Sequence, residues 1–392
     1  MKRVLIFSLA YYPSHVSGAE VAVKEITDRV DPGDIEFSMV THRFSADAPS
    51  EEQIGNVHVY RVGIGPSYLS KILFIPLAAL KARALHRVHP FDGAWVMMTY
   101  MLLPLMVARM KGVRVPYLLT LQDGDPYEKV FGRWFVRPLA PLLNAGFRKA
   151  TVIQAISHSL AEWPARRGST RPVVVIPNGA STGSARVYPQ AELDALAHSL
   201  NKKEGDVFLL TIGRLVHQKA TDVIIRALPL LPAQVHLVVV GSGSSGQRLE
   251  ELAQELGVAS RVRFVGQVDR NETAKYRKVC DLFVLPSRSE GQGISIISSM
   301  LAGIPVIATQ VGGIADFLFD AKRNPEKPST GWAVDPDSPE QIAEAVQYII
   351  SHPEEARAVA ETATRMVEER YDWDVLVPTL RTEAFGPVLQ DR

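Results

Sequence analysis

The sequence has only one cysteine and no long apolar run, and both absences limit the kind of protein that it encodes. The single thiol, Cys280, cannot form an internal disulfide, and its context, Lys-Val-Cys-Asp-Leu-Phe-Val-Leu-Pro, predicts a buried thiol in a reducing cytosol. No stretch approaches the ~18 to 20 apolar residues that are needed to cross a bilayer. We therefore expect a cytoplasmic protein that is either soluble or bound peripherally at the inner face of the membrane.

An excess of charge of either sign is also missing. The 392 residues include 43 Lys plus Arg and 42 Asp plus Glu, and the net charge of +1 gives no reason to expect a nucleic-acid partner. Apolar residues make up 46% of the sequence. A chain of this length and apolar content is expected to bury two cores rather than one.

Short β-branched runs alternate with amphipathic segments along the whole chain, which is the pattern of parallel sheets covered by helices. Residues 1–180 are predicted to form a first domain, with strands at 4–9, 37–41, 57–62, 93–99, 117–121, 151–156 and 173–176. A turn-forming, polar stretch at 181–205 is predicted to link it to a second doubly wound domain at 206–369. Because ligands of such sheets bind at the carboxyl ends of the strands, the cleft between the two sets of loops is the expected site.

The second domain contains Gly-Ser-Gly-Ser-Ser-Gly at 241–246, which formally matches the dinucleotide-binding fingerprint. The run follows a strand and opens a helix, and Asp269 lies at the end of the next strand, so a nicotinamide-dependent oxidoreductase is one alternative. It belongs to the second strand-helix unit of its domain rather than the first, which weighs against this alternative. A helix N-terminus lined by small residues still suits a phosphate group.

Two cations follow the first strand of the second domain. Arg214 lies just beyond that strand, and Lys219 comes five residues later, before a helix. Such a pair suits a diphosphate leaving group, whose charge must be neutralised as it departs. A later loop contains Glu290, which suits sugar hydroxyls, between a strand and a Gly-Gln-Gly turn. Gly291 and Gly293 in that turn would let backbone N–H groups approach a ligand.

These motifs resemble the donor-binding domain of the family 4 retaining glycosyltransferases, which have the GT-B fold. The resemblance rests on Gly-Arg-Leu followed by Lys219, and on Ser-x-x-Glu-Gly-x-Gly followed by Met-x-x-Gly-x-Pro-Val-Ile-Ala-Thr. It extends to the loop before Glu20 and to residues 370–392, which are similar to the last helix of the family, the one that crosses back to the first domain.

The resemblance implies two Rossmann-like domains facing across a cleft. It also implies transfer of a hexose from a nucleotide-diphosphate sugar to a glycan or lipid-linked acceptor, in polysaccharide or glycolipid biosynthesis. Neither a metal nor a permanently bound cofactor is expected.

Carried over position by position, the resemblance assigns roles to individual residues. Arg214 and Lys219 would hold the diphosphate, Glu290 the donor sugar, and the strand end at Val265 and Gly266 would lie by the nucleobase. The predicted catalytic residues are Arg214, Lys219, Glu290 and Asp123; the predicted donor-binding residues are Gly18, Val265, Gly266, Gly291, Gln292, Gly293, Ile294 and Ser298; the acceptor side is predicted to include Glu20 and Gln122.

Two positions depart from the family pattern. Ser298 stands where a second Glu usually binds the ribose, and a hydroxyl cannot accept two hydrogen bonds with a full negative charge, so a weaker grip is expected. Gln122 stands where a His is frequent, and Gln cannot take a proton near neutral pH. If the leaving diphosphate itself takes the acceptor proton, as the resemblance implies, activity survives the second change. A sugar-nucleotide binding protein with impaired catalysis therefore stays open as an alternative.

The segment Asp-Gly-Asp-Pro after the fifth predicted strand contains two carboxylates. Asp123 either positions the acceptor or is a plain turn residue. With Asp125 it has no third ligand nearby in the sequence, so no metal site is expected.

The segment 68–89 mixes Leu and Ile with Lys71, Lys81, Arg83 and Arg87. It is either a basic amphipathic segment that lies on an anionic membrane, which would suit a lipid-linked acceptor, or an ordinary helix packed on the first sheet. Pro76 is expected to interrupt any single long helix here.

Overall fold

The computed structural model describes residues 1–13, 17–180 and 187–390 of the chain. It divides into two compact units, the first formed by Met1–Asn178 with Trp373–Arg392 and the second by Gly179–Asp372. Within the described residues, no helix is long and apolar enough to cross a membrane.

The first unit is an α/β unit built around one sheet. Its strands are β1 Lys2–Phe7, β2 Ile35–His42, β3 Glu51–Ile54, β4 Val57–Val62, β5 Gly93–Met97, β6 Tyr117–Leu121, β7 Val152–Ala155 and β8 Val173–Val175. Its helices are α1 Gly18–Asp28, α2 Tyr68–Val88, α3 Leu102–Met110, α4 Tyr127–Gly132, α5 Ala140–Lys149, α6 His158–Ala161 and α7 Trp163–Arg166, followed at the end of the chain by α15 Trp373–Leu380 and α16 Gly386–Leu389.

The strand order of this sheet is β3-β4-β2-β1-β5-β6-β7-β8. The strands are parallel except for β3, which pairs antiparallel with β4. The order reverses between β1 and β5, so the loops after these two strands form the ligand-binding edge of a doubly wound sheet. The strand β3 was not predicted, because its sequence Glu-Glu-Gln-Ile is polar and half of it is exposed at the sheet edge.

Both faces of the first sheet are covered, which explains the nearly continuous apolar sequence of its central strands. Helices α2, α3 and α5 cover one face, and α1, α15 and α16 cover the other. The Trp95 ring lies 5.0 Å from that of Phe385. A Cβ atom on Gly93 would lie only 2.8 Å from Val388 Cγ1, so glycine lets α16 pack closely on β5. The end of the chain is therefore part of the core of the first unit.

Helix α2 runs unbroken for 21 residues with Pro76 inside it, so the predicted interruption at this proline is wrong. Proline removes one hydrogen bond and crowds the carbonyl of the residue four positions earlier, Ile72. Both Pro76 and Ile72 lie on the exposed side of the helix, so the proline ring does not disturb the packing of α2 on the sheet. On the opposite side Phe74 and Ala78 are buried in the core and hold the two halves of the helix in place.

The second unit is a separate six-stranded parallel sheet with helices. Its strands are β9 Val207–Ile212, β10 Val235–Val240, β11 Val262–Gly266, β12 Leu282–Leu285, β13 Val306–Thr309 and β14 Trp332–Val334. Its helices are α8 Gln190–Ser199, α9 Thr221–Ala227, α10 Gly246–Glu255, α11 Arg270–Val279, α12 Ile294–Leu301, α13 Pro339–Ser351 and α14 Pro353–Arg370.

The strand order of the second sheet is β11-β10-β9-β12-β13-β14, the doubly wound order with its reversal between β9 and β12. Of the stretch predicted as a linker at 181–205, residues 181–186 lie outside the described residues, and the rest contains α8, which belongs to this unit. Its Ala, Leu, Glu and Gln residues are good helix formers despite the overall polarity. Cys280 is buried in this unit, as predicted.

Candidate active site

Two of the predicted catalytic residues, Lys219 and Glu290, lie at the topological switch point of the second unit. Strands β9 and β12 are hydrogen-bonded neighbours there, and their carboxyl ends lead into the loops that contain Lys219 and Glu290. A crevice outside the strand ends at such a point is where doubly wound sheets bind ligands. The sequence placed these residues in separate loops, and the fold brings the two loops together.

Lys219 and Glu290 form an ion pair in which Lys219 Nζ donates to Glu290 Oε2. Both side chains are largely buried, and Ser287 Oγ lies 3.4 Å from the same carboxylate oxygen. Lys219 ends a 3-10 turn at His217–Lys219, directly before α9. The predicted phosphate ligand and the predicted sugar ligand are thus in direct contact.

Arg214, the other predicted phosphate ligand, has a different environment. It is exposed in the loop after β9, and no ion pair or hydrogen bond joins its side chain to another residue of the described ranges. The structure does not pair it with Glu290. Its guanidinium group is therefore accessible to an anionic ligand at this sheet edge.

Arg288, which was not predicted, braces the loop that contains Glu290. Its guanidinium group donates to both carboxylate oxygens of Asp222 at 3.0 and 2.7 Å and to Asp337 at 2.7 Å. The pKa of Arg288 is raised above its ordinary range, mainly by the hydrogen bonds to Asp222 and further by the bond to Asp337. The backbone N–H of Arg288 also donates to the carbonyl of Gln218 at 2.8 Å, next to Lys219. The two loops are therefore tied together by side chain and backbone.

The glycines of the same loop meet backbone requirements. Gly293 is the N-cap residue of α12 and has a φ of +92°, which suits glycine. Gly312, with a φ of +56°, lies so close to the Glu290 carbonyl that a Cβ atom would come within 2.0 Å of the oxygen. Gly291 and Gln292 are buried, and Ile294 opens α12, where the first N–H groups of the helix have no intrahelical acceptor. These features give the loop one backbone conformation.

The remaining predicted donor ligands lie further from Glu290. Ser298 is on α12 and is 2% exposed. Val265 and Gly266 end β11, which is the edge strand of the sheet and lies three strands from β12. Three steps of about 4.8 Å between neighbouring strands correspond to about 14 Å. Only an extended ligand would contact both Glu290 and the end of β11 at Val265 and Gly266.

The glycine run that matched the dinucleotide fingerprint has a packing role. A Cβ atom on Gly241 would lie 2.0 Å from the carbonyl oxygen of Gly213, and one on Gly243 would lie 2.3 Å from that of Leu215. These glycines let the loop after β10 pass against the loop after β9. Their presence is explained without a dinucleotide.

In the first unit, Glu20 holds the start of α1. Its Oε2 atom accepts hydrogen bonds from the backbone N–H of Ser17 at 2.7 Å and from the Ser17 hydroxyl at 2.5 Å. Gly18, the first residue of the helix, is exposed. Residues 14–16 of the predicted loop lie outside the described residues. Within the described part, Glu20 acts as a helix cap.

Asp123 and Gln122 follow β6, near the reversal point of the first sheet. Asp123 is buried, and its Oδ2 atom accepts hydrogen bonds from the hydroxyl and the backbone N–H of Thr99 at 3.0 and 3.3 Å. Burial raises the pKa of Asp123 to about 6, although the two hydrogen bonds from Thr99 lower it in part. Gln122 and Asn178 bond each other through their side-chain amides at 3.0 and 3.3 Å. Both residues are therefore fixed by partners that the sequence reading missed.

Asp125, the second carboxylate of this segment, has separate partners. It pairs with Lys129 at 2.8 Å and with Arg133 at 3.2 Å. Across the described ranges, no group of three or more His, Cys, Asp or Glu side chains is placed to hold a metal ion.

Two family models match successive parts of the chain. The model described as Glycosyl transferase 4-like domain matches residues 17–179, and the one described as Glycosyl transferases group 1 matches residues 194–366. Together they cover most of both units.

The chain is similar to several known proteins. An uncharacterized glycosyltransferase of Methanocaldococcus jannaschii is 26% identical over an alignment of 386 residues that covers 95% of each chain. A GDP-mannose-dependent alpha-(1-6)-phosphatidylinositol monomannoside mannosyltransferase of Mycobacterium tuberculosis is 28% identical over an alignment of 259 residues that covers 63% of this chain and 65% of that protein. Sucrose-phosphate synthase from Thermosynechococcus elongatus has a TM-score of 0.84 at 21% identity, over 98% of this chain and 100% of that one. This likeness confirms the predicted GT-B fold.

Proposed function

Because the chain belongs to the family 4 type of glycosyltransferases with the GT-B fold, we propose that it transfers a hexose from a nucleotide-diphosphate sugar to an acceptor. The proposed reaction retains the configuration of the sugar. The bond from the anomeric carbon to the diphosphate breaks as the bond to the acceptor oxygen forms on the same face. The acceptor proton passes to the leaving diphosphate, which departs as the nucleoside diphosphate.

The observation that carries this proposal is the contact between Lys219 and Glu290 at the switch point of the second sheet. A cation for phosphate and a carboxylate for sugar hydroxyls are the two groups that a nucleotide sugar needs at its reacting end. In the proposed complex Lys219 and Arg214 neutralise the diphosphate, while Glu290 accepts hydrogen bonds from the sugar. These two cations supply the charge stabilisation, so the proposal includes no metal and no bound cofactor.

The acceptor is proposed to be a glycan or a lipid-linked sugar. The mannosyltransferase relative, whose name specifies a phosphatidylinositol monomannoside, supports the lipid-linked form. On the acceptor side we place Asp123, which Thr99 holds in one orientation, and its neighbour Gln122. A buried free thiol at Cys280 is typical of a reducing compartment, and we propose a cytoplasmic location.

The test is a screen of UDP-, GDP- and ADP-sugars by thermal shift, followed by a transfer assay with the sugars that bind. A ligand that binds the folded state raises its melting temperature, by mass action. We expect one nucleotide series to stabilise the protein and to be turned over, with nuclear magnetic resonance showing a retained anomeric configuration. Binding without transfer or donor hydrolysis, across the panel and with both glycan and lipid acceptors, would instead support the impaired binding protein. An absence of any binding would contradict both.

A further inference from the structure

Helix α2 of the first unit exposes an apolar stripe. Six large side chains, from Tyr68 to Leu80, are between 40 and 65% exposed; they are Tyr68, Leu69, Ile72, Leu73, Leu77 and Leu80. Helices on the surface of a water-soluble unit place polar residues on this side. Scattered single apolar residues are ordinary, but a contiguous exposed set indicates a contact surface.

Packing of the helix on its own sheet does not explain this stripe. The buried side of α2 is a different set, in which Phe74, Ala78, Ala79 and Ala82 are in the core. The helix is therefore apolar on both sides, and the described residues of the chain cover only one of them. The outward side has no role in the fold of the first unit.

A second segment continues the stripe. Trp134, between α4 and α5, is 82% exposed, and its ring lies 5.8 Å from that of Phe135. The ring of Phe135 in turn lies 5.5 Å from that of Tyr68, at the start of α2. Ile64, four residues before α2, is 63% exposed. We call the combined surface the α2 face; it consists of Ile64, the six side chains of α2 named above and Trp134. Two stretches that are distant in the sequence thus present one apolar surface.

The charge of both stretches has one sign. Residues 53–91 include five Lys or Arg and no Asp or Glu, and residues 129–161 again include five Lys or Arg and no Asp or Glu. Arg83, Arg87 and Arg137 have no ion pair with another residue of the described ranges. Four of these ten cations are paired with carboxylates just outside the two stretches, Arg61 with Glu52, Lys81 with Glu51, and Lys129 and Arg133 with Asp125. The positive charge beside the apolar surface therefore comes from the remaining cations, among them Arg83, Arg87 and Arg137.

We propose that the α2 face docks the first unit on an anionic lipid bilayer, with its apolar side chains in the interface and the surrounding cations at lipid phosphates. Amphipathic helices with Trp and Leu on one side and cations at the border bind membranes in this way. A docked first unit would take its acceptor from the lipid surface, and this part of the proposal rests on the proposed function. Docking itself needs neither donor nor turnover.

The test measures cosedimentation of the full chain with large unilamellar vesicles. One set contains equal parts of phosphatidylcholine and phosphatidylglycerol, and the other contains phosphatidylcholine alone. We expect binding to the anionic vesicles that weakens as salt is raised. The variant Leu73→Gln/Leu80→Gln replaces two leucines that are each about half exposed, so the lipid contact of that exposed half is lost at both positions. We expect about fivefold weaker binding for each leucine replaced. Trp134→Gln should act in the same direction.

The matched control is Leu230→Gln in the second unit, because Leu230 and Leu80 are both 48% exposed. This control should bind vesicles as tightly as the unaltered protein does. All variants should have the melting temperature of the unaltered protein, because the replaced side chains are exposed. Equal binding by the control and the α2 variants would overturn the proposal, and so would no binding to anionic vesicles. A concentration-dependent dimer that the α2 variants abolish would assign the face to a second copy of the chain, which also contradicts docking. Because the vesicles contain no sugar donor, failure here leaves the proposed transfer untouched.

Discussion

Replacing Arg288 should damage activity as well as stability, because this side chain ties the loop of Glu290 to the turn of Lys219. In Arg288→Ala, the bidentate bond to Asp222 and the bond to Asp337 are lost. A charge-assisted pair that is partly buried contributes about 2 kcal/mol, and the more exposed Asp337 adds about 0.5 kcal/mol. We therefore expect the free energy of unfolding of the second unit to fall by about 2.5 kcal/mol.

The effect on turnover follows from position rather than from contact with substrate. Glu290 lies two residues after Arg288, and a displacement of about 1 Å at a catalytic group costs about 100-fold in rate. We expect kcat/KM for the donor to fall by about that factor in Arg288→Ala. Arg288→Lys keeps the charge but not the planar fork, so it should recover only part of the loss.

Urea unfolding and steady-state kinetics of the same preparations make the two measurements. Arg248→Ala is the matched control, because Arg248 pairs with Glu255 on the exposed side of α10, where an ion pair contributes little to stability. A variant at Arg288 that is destabilised yet retains full kcat/KM would show that the brace does not position Glu290. Unchanged stability would show that the contacts themselves contribute nothing.

Three further predictions concern single positions. Gly312→Ala should lower the melting temperature of the second unit and reduce turnover, because its Cβ atom would lie 2.0 Å from the Glu290 carbonyl oxygen. The control is Gly303→Ala, which is also at positive φ but has no atom within 4 Å of its Cβ. This control should lower the free energy of unfolding in urea by only about 1 kcal/mol. Because burial raises the pKa of Asp123 from 3.8 to about 6, its contribution to stability is complete below pH 3.8 and is lost as the pH rises through about 6. The unfolding free energy of the unaltered protein minus that of Asp123→Asn should fall by about 3 kcal/mol from pH 3 to 7, and a constant difference would contradict this. Ser298→Ala, which adds no charge to this buried position, should weaken donor binding about threefold to tenfold in calorimetry, and an unchanged Kd would mean that the ribose is held elsewhere.

The sequence pattern predicted most of the fold because the central strands are apolar runs. Strands such as β5 and β12 are buried along their whole length, and their signal is strong. The edge strand β3 is polar and half exposed, so periodicity could not distinguish it from a loop. Pro76 was misread because a local rule on proline ignores tertiary packing, and here buried neighbours on both sides hold the helix together.

The site was predictable where a short motif defines it and not where distant residues meet. Lys219 and Glu290 were both identified from local patterns, although they are 71 residues apart in the chain. Arg288 was missed because its partners Asp222 and Asp337 lie 66 and 49 residues away. Nothing in the local sequence distinguishes this arginine from a solvated one. The same holds for Thr99, which fixes Asp123 from another strand end.

The central claim is that Lys219 stabilises the departing diphosphate of a sugar nucleotide. The most direct measurement is the rate of nucleoside diphosphate release, with donor and acceptor saturating, for Lys219→Ala beside Lys322→Ala. Lys322 is an exposed lysine of the same unit, away from the switch point. Removal of one group that stabilises developing charge should lower kcat by about 100-fold to 1,000-fold in Lys219→Ala and leave the control unchanged. Equal rates for both variants and the unaltered protein would contradict the account.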